Sequence, residues 1–453
     1  MIRIDYPQKK IMIVGAGRTG IALCRYFARR GAAVTLSDTR PADKLAEVDE
    51  LTRLGIDLDL GGHTTTKFLA SDLIVISPGV SLQLPALKAA AAANISILGE
   101  IEIAYREFDV PLLAITGTNG KSTTTTLIGA IYSAWGRHPF VGGNLGTPLI
   151  EATERSDYDV IVAEISSFQL EAVEQFHPKY ALLLNLSEDH LDRYPDMASY
   201  IAAKREIFKR MTASDVAILN AEDAHTATFS ETIRAQKIYF SSQRILPVGM
   251  GYDGTSIIWR YQDGECRFLV SELQIKGLHN IENVMAALIA PLCDGCPPQL
   301  AWSAVCAFRG LEHRMNLVRV LGGVAWYNDS KGTNVGSVVK SLEGLEAPVT
   351  LIAGGKDKGG DYAPLADLIR DKVRHLILIG EASERIAAAL GDLTHSVRAS
   401  SLEEAVVMAH ELTAAGGTVL LSPGCSSFDM FKSYAERGNV FSAAVNRLPE
   451  LPQ

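Results

Sequence analysis

Short aliphatic runs alternate with helical stretches along most of the chain. The first hundred residues contain IMIVG, AAVTLSD, LIVIS and ISILGE, with a helical stretch over 21–30. A second series runs from VPLLAITG through VIVAEIS, YALLLNLS and VAILN, with a long helical stretch over 197–211. A third follows residue 308 with GVAWYNDS, VTLIAGG, HLILIG and TVLLSPG. Strands that alternate with helices form parallel sheets, so this rhythm predicts an α/β fold.

The three series predict three tandem α/β domains, at residues 1–100, 101–310 and 311–453. The length of 453 residues agrees with this division, because single hydrophobic cores rarely serve more than about 250–300 residues. Within the second domain, residues 245–270 are predicted to form hairpin strands around Asp253-Gly254 and Asp263-Gly264, dipeptides that favour tight turns. A helix is predicted over GLHNIENVMAALIA.

Composition argues against several classes of protein. The 52 Asp and Glu residues outnumber the 43 Lys and Arg residues, and the formal net charge of -9 argues against a nucleic-acid partner. No apolar stretch approaches the roughly 18 residues of a membrane span, and the start MIRIDYPQKK lacks the apolar core of a secretory signal. The six cysteines are scattered, and the only close pair, Cys293 and Cys296, has no second Cys or His pair at zinc-site spacing. We therefore expect a cytoplasmic protein with reduced thiols and no membrane insertion.

The segment GTNGKST, Gly117 to Thr123, is typical of a phosphate-binding loop. It follows the strand LLAIT and precedes a helical run, so its backbone N–H groups and the helix N-terminus can face an anion. Lys121 would neutralise phosphate charge, and the hydroxyl of Ser122 or Thr123 could reach Mg²⁺. Ile115 stands where the full Walker pattern has glycine, so this is a shortened variant. The absence of an Asn-Lys-x-Asp motif favours ATP over GTP, and a polar turn with a solvated lysine is the alternative.

A second glycine pattern, GAGRTG at Gly15 to Gly20, lies between the first strand and the first helix. Asp38 ends the following strand, at the spacing of a dinucleotide fingerprint. The pattern alone suggests NAD, but a UDP group on the helix N-terminus would satisfy it as well, and the glycines could serve packing only. The segment SPGVSL, which begins at Ser77, could line the same crevice.

Two polar residues follow strands of the second series. Glu164 ends the strand VIVAEIS, and His190 lies in EDHLDRY after YALLLNLS. The carboxyl ends of parallel strands lie on the ligand side, so both are expected near the phosphate loop. Glu164 can ligate Mg²⁺ through oxygen, whereas His190 is a less usual ligand, and a solvated Glu with an ordinary loop His is the alternative. From composition alone Lys204 is interpreted as a surface lysine.

Several motifs in this order resemble one enzyme family. GTNGKST, the strand that ends in Glu164, EDHLDRY, GLHNIENVMAA, HRMN and NDSKGTN are together similar to the Mur ligases, which join amino acids to UDP-muramic acid precursors. The resemblance covers essentially the whole chain. Within the family, DTR at 38–40, NDSKGTN at 328–334 and SPGCSSFDMFKSYAERG at 422–438 resemble the ligases that add D-glutamate to UDP-N-acetylmuramoyl-L-alanine.

The resemblance implies a fold and a reaction. The fold would be an N-terminal Rossmann-like domain for the UDP-sugar, a central P-loop-type ATPase domain, and a C-terminal Rossmann-like domain for the amino acid. The enzyme would be an ATP-dependent, amide-forming ligase of cytoplasmic peptidoglycan precursor synthesis, and so of cell wall biogenesis, cell shape and cell division. An acyl phosphate would be its intermediate. ATP, two Mg²⁺ ions and a carbamylated lysine would be its cofactors, small molecules its only partners, and the monomer its working form.

The resemblance also implies the role of each site residue. Catalysis would depend on Lys121, His190, Lys204 and Arg314. ATP would be held by Gly117, Thr118, Asn119, Gly120, Lys121, Ser122, Thr123, Asn280, Asn283, Arg314 and Asp329. The UDP-sugar would be held by Arg18, Thr19, Asp38, Thr39, Arg40, Ser77, Gly79 and Asn144. The amino acid would be held by Lys331, Thr333, Lys358, Ser427, Phe428 and Tyr434, and the metal by Ser122, Glu164, His190 and the carbamate of Lys204.

Two positions depart from the family pattern, and other functions stay open. Phe428 stands where Leu is usual and Tyr434 where Phe is frequent, and both keep an apolar wall. A folylpolyglutamate-synthase-like ligase would share the phosphate loop but would not use an N-terminal UDP crevice. A non-enzymatic nucleotide-gated binding protein would not need the amino-acid residues. An NAD-dependent oxidoreductase would leave GTNGKST unused.

Overall fold

The computed structural model describes residues 5–191, 193–262 and 264–449. The chain divides into two compact units. The first comprises Met1–Asn185, Tyr200–Ser271 and Glu282–Val305, and the second comprises Leu186–Ser199, Glu272–Ile281 and Cys306–Gln453. Two sheets lie in the first unit and one in the second, each accompanied by helices, which confirms the predicted α/β class.

The first sheet is parallel throughout. Its strands are β1 (Lys10–Val14), β2 (Ala33–Asp38), β3 (Asp57–Leu60), β4 (Leu73–Ile76) and β5 (Ser96–Gly99). They lie in the order β3-β2-β1-β4-β5, so the order reverses between β1 and β4, where open parallel sheets bind ligands. The helices of this part are α1 (Arg18–Arg29), α2 (Val48–Arg53), α3 (Thr65–Leu69), α4 (Pro85–Ala92) and α5 (Glu100–Glu107).

The second sheet has nine strands in the order β14-β13-β12-β11-β10-β9-β6-β8-β7. They are β6 (Leu112–Thr116), β7 (Pro139–Gly143), β8 (Val160–Glu164), β9 (Tyr180–Leu183), β10 (Val216–Asn220), β11 (Gln236–Phe240), β12 (Gly249–Tyr252), β13 (Ser256–Tyr261) and β14 (Gly264–Leu269). Every residue of β6, β8 and β9 is buried, which explains why these strands are continuous apolar runs. The helices are α6 (Lys121–Ala134), α7 (Ser167–Leu170), α8 (Met197–Arg205), α9 (Ala224–Ala227), α10 (Leu278–Cys293) and α11 (Pro298–Ala307).

The third sheet has six strands in the order β15-β16-β20-β17-β18-β19. They are β15 (Asn316–Leu321), β16 (Val324–Asn328), β17 (Val349–Gly354), β18 (Val373–Ile379), β19 (His395–Arg398) and β20 (Thr418–Leu421). The helices are α12 (Val335–Glu343), α13 (Ala366–Lys372), α14 (Ser383–Leu390), α15 (Leu402–Leu412) and α16 (Tyr434–Arg447).

Alternate side chains of the third sheet enter two separate cores. Leu351 packs with residues of α12, α13 and α14, whereas its neighbour Ile352 packs with residues of α15 and α16. Leu376 and Ile377 divide in the same way. Successive strand side chains point to opposite faces, so helices cover both faces of this sheet. This is the Rossmann-like arrangement predicted for the C-terminal part.

The structure confirms the predicted helix α10 and the hairpin strands β12, β13 and β14, although Asp263 of the second predicted turn lies outside the described residues. Two predictions were inaccurate. The helix predicted over 197–211 ends at Arg205 and continues only as a 3-10 turn over Glu206–Phe208. The antiparallel strand β15 was not predicted, since at this sheet edge Leu317 and Val320 are exposed.

All six cysteines are described, and none forms a disulfide in this structure. Within the described ranges, no helix is both long and apolar enough to cross a membrane.

Candidate active site

The predicted phosphate loop connects β6 to α6. Gly117 and Gly120 have φ values of +148° and +84°, which residues with a side chain rarely adopt. A Cβ atom on Gly120 would also lie 2.1 Å from Asn283 Oδ1. The N-cap residue of the 14-residue helix α6 is Gly120, which has no side chain to cap the helix, and a helix N-terminus favours an anion.

The amino groups of two lysines donate hydrogen bonds to carbonyls of this loop. Lys121 Nζ donates to the carbonyls of Gly117 at 2.9 Å and Thr118 at 2.8 Å. Lys204 Nζ donates to the same Gly117 carbonyl at 2.9 Å and lies 4.7 Å from the centre of the Tyr200 ring. Lys204 is only 1% exposed, so its interpretation as a surface lysine was wrong. Both amino groups donate to the same Gly117 carbonyl oxygen, so they lie close to each other.

Glu164 lies at the end of β8, beside the strand that leads into the loop. Ile115 of β6 pairs with Glu164, which is 1% exposed. The side chain of Asn144 donates to Glu164 Oε1 at 2.6 Å, and its backbone N–H donates to the Glu164 carbonyl at 2.8 Å. Ser122, in the first turn of α6, is also buried. The structure thus places a buried carboxylate next to the phosphate loop, as predicted, and attaches Asn144 to it.

The two asparagines of α10 differ in their surroundings. Asn283 lies against the phosphate loop, where its Oδ1 accepts a hydrogen bond from Thr124 Oγ1 at 3.4 Å. The side chain of Asn280 donates to the Lys276 carbonyl at 2.8 Å. Asn283 is therefore placed beside the loop glycine Gly120.

The glycine turn after β1 has the close packing of a ligand-binding turn. A Cβ on Gly20 would lie 1.8 Å from the Gly15 carbonyl oxygen, whereas a Cβ on Gly17 would meet no atom within 4 Å. Ser77 Oγ, from the end of β4, donates to the same Gly15 carbonyl at 3.0 Å. The N-terminus of α1 has no side-chain cap. Arg18 and Gly79 are exposed and Thr19 is half-buried at this edge.

Asp38 connects this turn to the end of β2. Its Oδ2 accepts from the N–H of Ala16 at 2.6 Å, and its Oδ1 accepts from the N–H of Arg40 at 2.8 Å and from Arg40 Nε at 3.0 Å. Burial opposes ionisation, but the Arg40 side chain and these N–H groups outweigh it and lower the pKa of Asp38 to about 2. Asp38 is therefore a fixed negative charge at the C-terminal edge of the first sheet. Thr39 beside it is exposed.

In the second unit, Asp329 follows β16 and is 5% exposed. Its Oδ2 accepts from Ser341 Oγ at 2.8 Å and Ser422 Oγ at 2.7 Å. Burial raises the pKa of Asp329 to about 6, although these hydroxyls and Arg314 act in the other direction. The backbone N–H of Arg314 donates to Asn316 Oδ1 at 3.2 Å. Asp329 and Arg314 are thus brought near one another.

Asp189, which was not predicted as a site residue, contacts two predicted ones, Lys358 and His190. Its Oδ1 lies 3.3 Å from Lys358 Nζ, and its Oδ2 accepts from Asn334 Nδ2 at 3.1 Å. The backbone N–H of His190 donates to Asp189 Oδ1 at 3.0 Å, and His190 has a φ of +57°, which is uncommon for a residue with a side chain. Strand β9 ends at Leu183, so the sheet does not itself position His190. Asp192 of the same motif lies outside the described residues.

The remaining predicted amino-acid residues lie on two loops and on α16. Lys331 Nζ sits 3.9 Å from the centre of the Tyr434 ring, an arrangement that favours a cation over an aromatic face. The Thr333 N–H donates to the Lys331 carbonyl, and Ser427 is 2% exposed. Phe428, however, is 70% exposed and forms no apolar wall in this structure.

Arg437 was missed because a charged residue within a helix is usually solvated. It is 1% exposed, and burial lowers its pKa to about 10. Its guanidinium donates to Ser330 Oγ at 3.0 Å and to the Ser330 carbonyl at 2.9 Å, and also to the carbonyls of Cys425 and Ser426. Arg437 therefore ties the loop after β16 to the loop after β20. Only its place in the AERG motif could have indicated this role.

No three His, Cys, Asp or Glu side chains converge as a metal-binding cluster in the part of the chain that the structure describes. A metal at the loop would therefore need oxygen donors from outside that set, such as hydroxyls and phosphates. The arrangement offers a helix N-terminus, two amino groups and a buried carboxylate around one loop. It can bind a nucleotide polyphosphate and offset its charge.

Known proteins resemble this chain over all three sheets. Family profiles match a Mur ligase MurD-like N-terminal domain over residues 9–99, a Mur ligase middle domain over 115–291 and a Mur ligase glutamate ligase domain over 313–425. The UDP-N-acetylmuramoylalanine--D-glutamate ligase of Syntrophotalea carbinolica is 60% identical over 98% of this chain and 99% of its own length.

Two solved structures share the fold at low identity. A pseudomurein peptide ligase type C from Methanothermus fervidus has a TM-score of 0.61 and 18% identity, over 92% of this chain and 97% of its own. A MurF ligase from Thermotoga maritima in complex with ADP has a TM-score of 0.60 and 15% identity, over 92% of this chain and 98% of its own.

Proposed function

The chain belongs to the Mur ligase family, and we propose that it adds D-glutamate to the L-alanine carboxylate of UDP-N-acetylmuramoyl-L-alanine in peptidoglycan precursor synthesis. The observation that carries this proposal is 60% identity, over 98% of the chain, to a relative named for that reaction. The substrate carboxylate attacks the γ-phosphate of ATP and releases ADP. The amino group of D-glutamate then attacks the acyl phosphate, and inorganic phosphate leaves.

We propose that the loop Gly117 to Thr123 holds the ATP phosphates in this reaction. Support comes from the uncapped N-terminus of α6 and from the two loop glycines, which let the backbone approach an anion closely. Lys121 now donates to loop carbonyls, and it would exchange these bonds for phosphate oxygens. Its charge would offset the negative charge that spreads over the phosphoryl oxygens during transfer. Asn283 would contact the nucleotide beside the loop, with Asn280, Arg314 and Asp329 as its further partners.

The donor set fits Mg²⁺. Glu164 presents a buried carboxylate that Asn144 holds in place, and Ser122 supplies a hydroxyl in the first turn of α6. We propose that these two residues hold the metal together with His190 and a carbamate on Lys204. When bound, Mg²⁺ would polarise phosphoryl oxygens and neutralise their charge.

Lys204 is buried and its amino group lies beside the loop, and the uncharged amine is the form that reacts with CO₂. A carbamate keeps one N–H, which could still donate to the Gly117 carbonyl. We therefore expect the Lys204→Arg variant, which cannot form a carbamate, to lose most of its activity. Wild-type enzyme in CO₂-depleted buffer should lose activity and regain it with bicarbonate. Activity independent of bicarbonate, with no carbamate carbon signal from ¹³C-bicarbonate in NMR, would remove the carbamate from the proposal.

We propose the C-terminal edge of the first sheet as the UDP-sugar site. Asp38, with its low pKa, can accept from an N–H or hydroxyl of the nucleoside, and α1 can receive the diphosphate. D-Glutamate carries two carboxylates, which cationic side chains can bind. It would be held by Lys358, Lys331, Thr333, Ser427, Phe428 and Tyr434. Lys358 would give up its hydrogen bond to Asp189 and bind a carboxylate of the substrate instead.

ATP and UDP-sugars are cytoplasmic metabolites, so we propose the cytoplasm as the place of this reaction. We also propose a monomer as the working form. Light scattering coupled to size exclusion at micromolar concentration would test the second point: a stable dimer would contradict it.

Phosphate release tests the proposed function directly. The enzyme is mixed with ATP and Mg²⁺, with or without UDP-N-acetylmuramoyl-L-alanine, and with D-glutamate, L-glutamate or a panel of other amino acids. We expect release only when the sugar nucleotide and D-glutamate are both present. Release without the sugar nucleotide, or with L-glutamate at an equal rate, would contradict the proposal.

A further inference from the structure

Asn185, two residues beyond the end of β9, forms three hydrogen bonds with the phosphate loop. Its backbone carbonyl accepts from the Thr118 N–H at 2.9 Å. Its side-chain Oδ1 accepts from the Asn119 N–H at 2.8 Å, and its Nδ2 donates to the Asn119 carbonyl at 3.1 Å. The side-chain amide thus bonds to both the N–H and the carbonyl of Asn119, as the backbone of a neighbouring strand would.

These bonds extend the sheet into the loop. Thr116 of β6 pairs with Leu183 of β9, and the Leu184 N–H donates to the Thr116 carbonyl at 3.1 Å. Asn185 continues this pairing past the end of both strands, where the loop turns away and a regular ladder cannot follow. A side-chain amide can reach Asn119 where backbone alone would not.

The loop needs such a partner because its glycines allow many conformations. Gly117 and Gly120 flank Thr118 and Asn119, and glycine loses more conformational freedom on ordering than any other residue. Asn185 holds Thr118 and Asn119 by their N–H groups, so these two groups point towards β9. Helix α6 begins directly after this segment, and its N-terminus favours the phosphates.

We propose that Asn185 is a positioning residue of the ATP site: it holds the phosphate loop in its anion-binding shape through Asn119. This inference rests on the proposed use of the loop for ATP. Asn185 acts through the loop rather than by touching substrate. Its removal should therefore weaken binding in proportion to the number of phosphates that the loop holds, whereas a general defect in folding would weaken every ligand alike.

The test compares the Asn185→Ala variant with wild type in calorimetric titrations of ATP, ADP and AMP. We expect the affinity for ATP and ADP to fall about tenfold, because two hydrogen bonds to the loop are lost and water replaces them in part. The affinity for AMP, and the KM values for the sugar nucleotide and the amino acid at saturating ATP, should change less than about twofold.

Asn220→Ala is the matched control. Asn220 also lies at a strand end and is 8% exposed, but its side chain donates to the Leu184 carbonyl and not to the loop. Asn220→Ala should lower the melting temperature to a similar degree and leave the affinity ratio of ADP to AMP unchanged. The Asn185→Asp variant keeps the acceptor for Asn119 but places an oxygen against the Asn119 carbonyl, so it should not restore ADP binding.

Three results would overturn the inference. Asn185→Ala could leave ADP affinity unchanged, it could weaken AMP and ADP equally, or Asn220→Ala could shift the ADP to AMP ratio as strongly. Lys121→Ala separates this inference from the proposed function. If Lys121→Ala weakens ATP binding or turnover and Asn185→Ala does not, only the positioning role fails. If Lys121→Ala changes neither, the loop is not the ATP site and the proposed function fails with it.

Discussion

The turn Gly15–Gly20 after β1 and the loop Gly117–Gly120 after β6 have the same backbone plan and different side-chain chemistry. Each connects a buried parallel strand to a helix whose N-terminus has no side-chain cap, so each can receive an anion. Around the first turn, the carboxylate of Asp38 accepts from the Ala16 N–H. Around the second, Lys121 and Lys204 donate to the Gly117 carbonyl.

This difference shows that a glycine turn sets where an anion can bind, while the surrounding charges decide what can happen to it. A carboxylate beside the first turn suits the recognition of a nucleoside that stays intact. The cation Lys121 beside the second suits a phosphate group that gains charge during transfer. The GAGRTG pattern alone suggested NAD, and nothing in its backbone could have separated NAD from a UDP group.

Removal of Lys121 should give the largest effect, because it takes away the charge that distinguishes the second loop. We expect Lys121→Ala to lower kcat about 10³-fold, the loss typical of one group that stabilises transition-state charge. The KM for the sugar nucleotide should change less than about twofold. Phosphate release measures both when the sugar nucleotide concentration is varied at saturating ATP and D-glutamate. Lys209→Ala, which removes an exposed lysine paired with Glu206, is the control and should keep full activity. Equal losses of activity in the two variants would show that the charge of Lys121 has no special role at the second loop.

Glu100, at the start of the helix α5 that joins the two regions, should give the next largest effect. Glu100 is 2% exposed, its Oε1 accepts from the Ile150 N–H at 2.6 Å, and burial raises its pKa from 4.5 to about 7. A raised carboxyl pKa means that the folded state holds the proton longer than the unfolded state. The contribution of Glu100 to the free energy of unfolding is therefore fully present below about pH 4.5 and is lost as the pH rises towards 7.

We expect this decline to amount to about 3 kcal/mol in wild type, at about 1.4 kcal/mol per pH unit. Glu100→Gln keeps the acceptor for Ile150 and has no charge to lose, so its melting temperature should be the same at pH 5 and pH 8 apart from the effects of other groups. Glu231→Gln, at a side chain that is 87% exposed, should retain the wild-type pH dependence. Identical profiles of melting temperature against pH for both variants would show that Glu100 does not cause the pH dependence of stability.

Substitutions of two glycines in the first turn should have different effects, one on the packing of the turn and the other on ligand binding. A Cβ on Gly20 would enter the Gly15 carbonyl, so Gly20→Ala should destabilise the first unit by about 1–3 kcal/mol. Gly17 has a φ of -76° and open space around it, so Gly17→Ala should leave stability unchanged within about 0.5 kcal/mol. It should still raise the KM for the sugar nucleotide, because a methyl group would obstruct the diphosphate. Thermal unfolding and steady-state kinetics of both variants would check this; equal melting temperatures would contradict the packing argument.

Sequence patterns predicted those parts of the structure that depend on local periodicity. Buried strands such as β6 and β8 are continuous apolar runs, and the glycine turns and Asp38 lie at fixed distances from them. What the patterns missed are polar groups whose partners are backbone atoms far along the chain. Lys204 lies on a helix with mixed burial and donates to Gly117, 87 residues away. Arg437 and Asn185 likewise hold loops whose shape no local pattern describes.

Asp38 should give the smallest effect and the most specific one. Its carboxylate, with a pKa of about 2, stays charged across pH 5–9, so it should contribute no pH dependence to sugar-nucleotide binding there; its contribution is lost only as the pH falls through about 2. Asp38→Asn removes that charge and releases Arg40, and we expect the KM for the sugar nucleotide to rise about tenfold, or about 1.4 kcal/mol, with the KM for ATP within about twofold. Asp57→Asn, on the adjacent β3 and paired with Lys67 at the surface, is the control and should leave both KM values unchanged. If Asp38→Asn raised both KM values together, the first turn would not be a separate nucleoside site, and the division of labour between the two glycine turns would have to be abandoned.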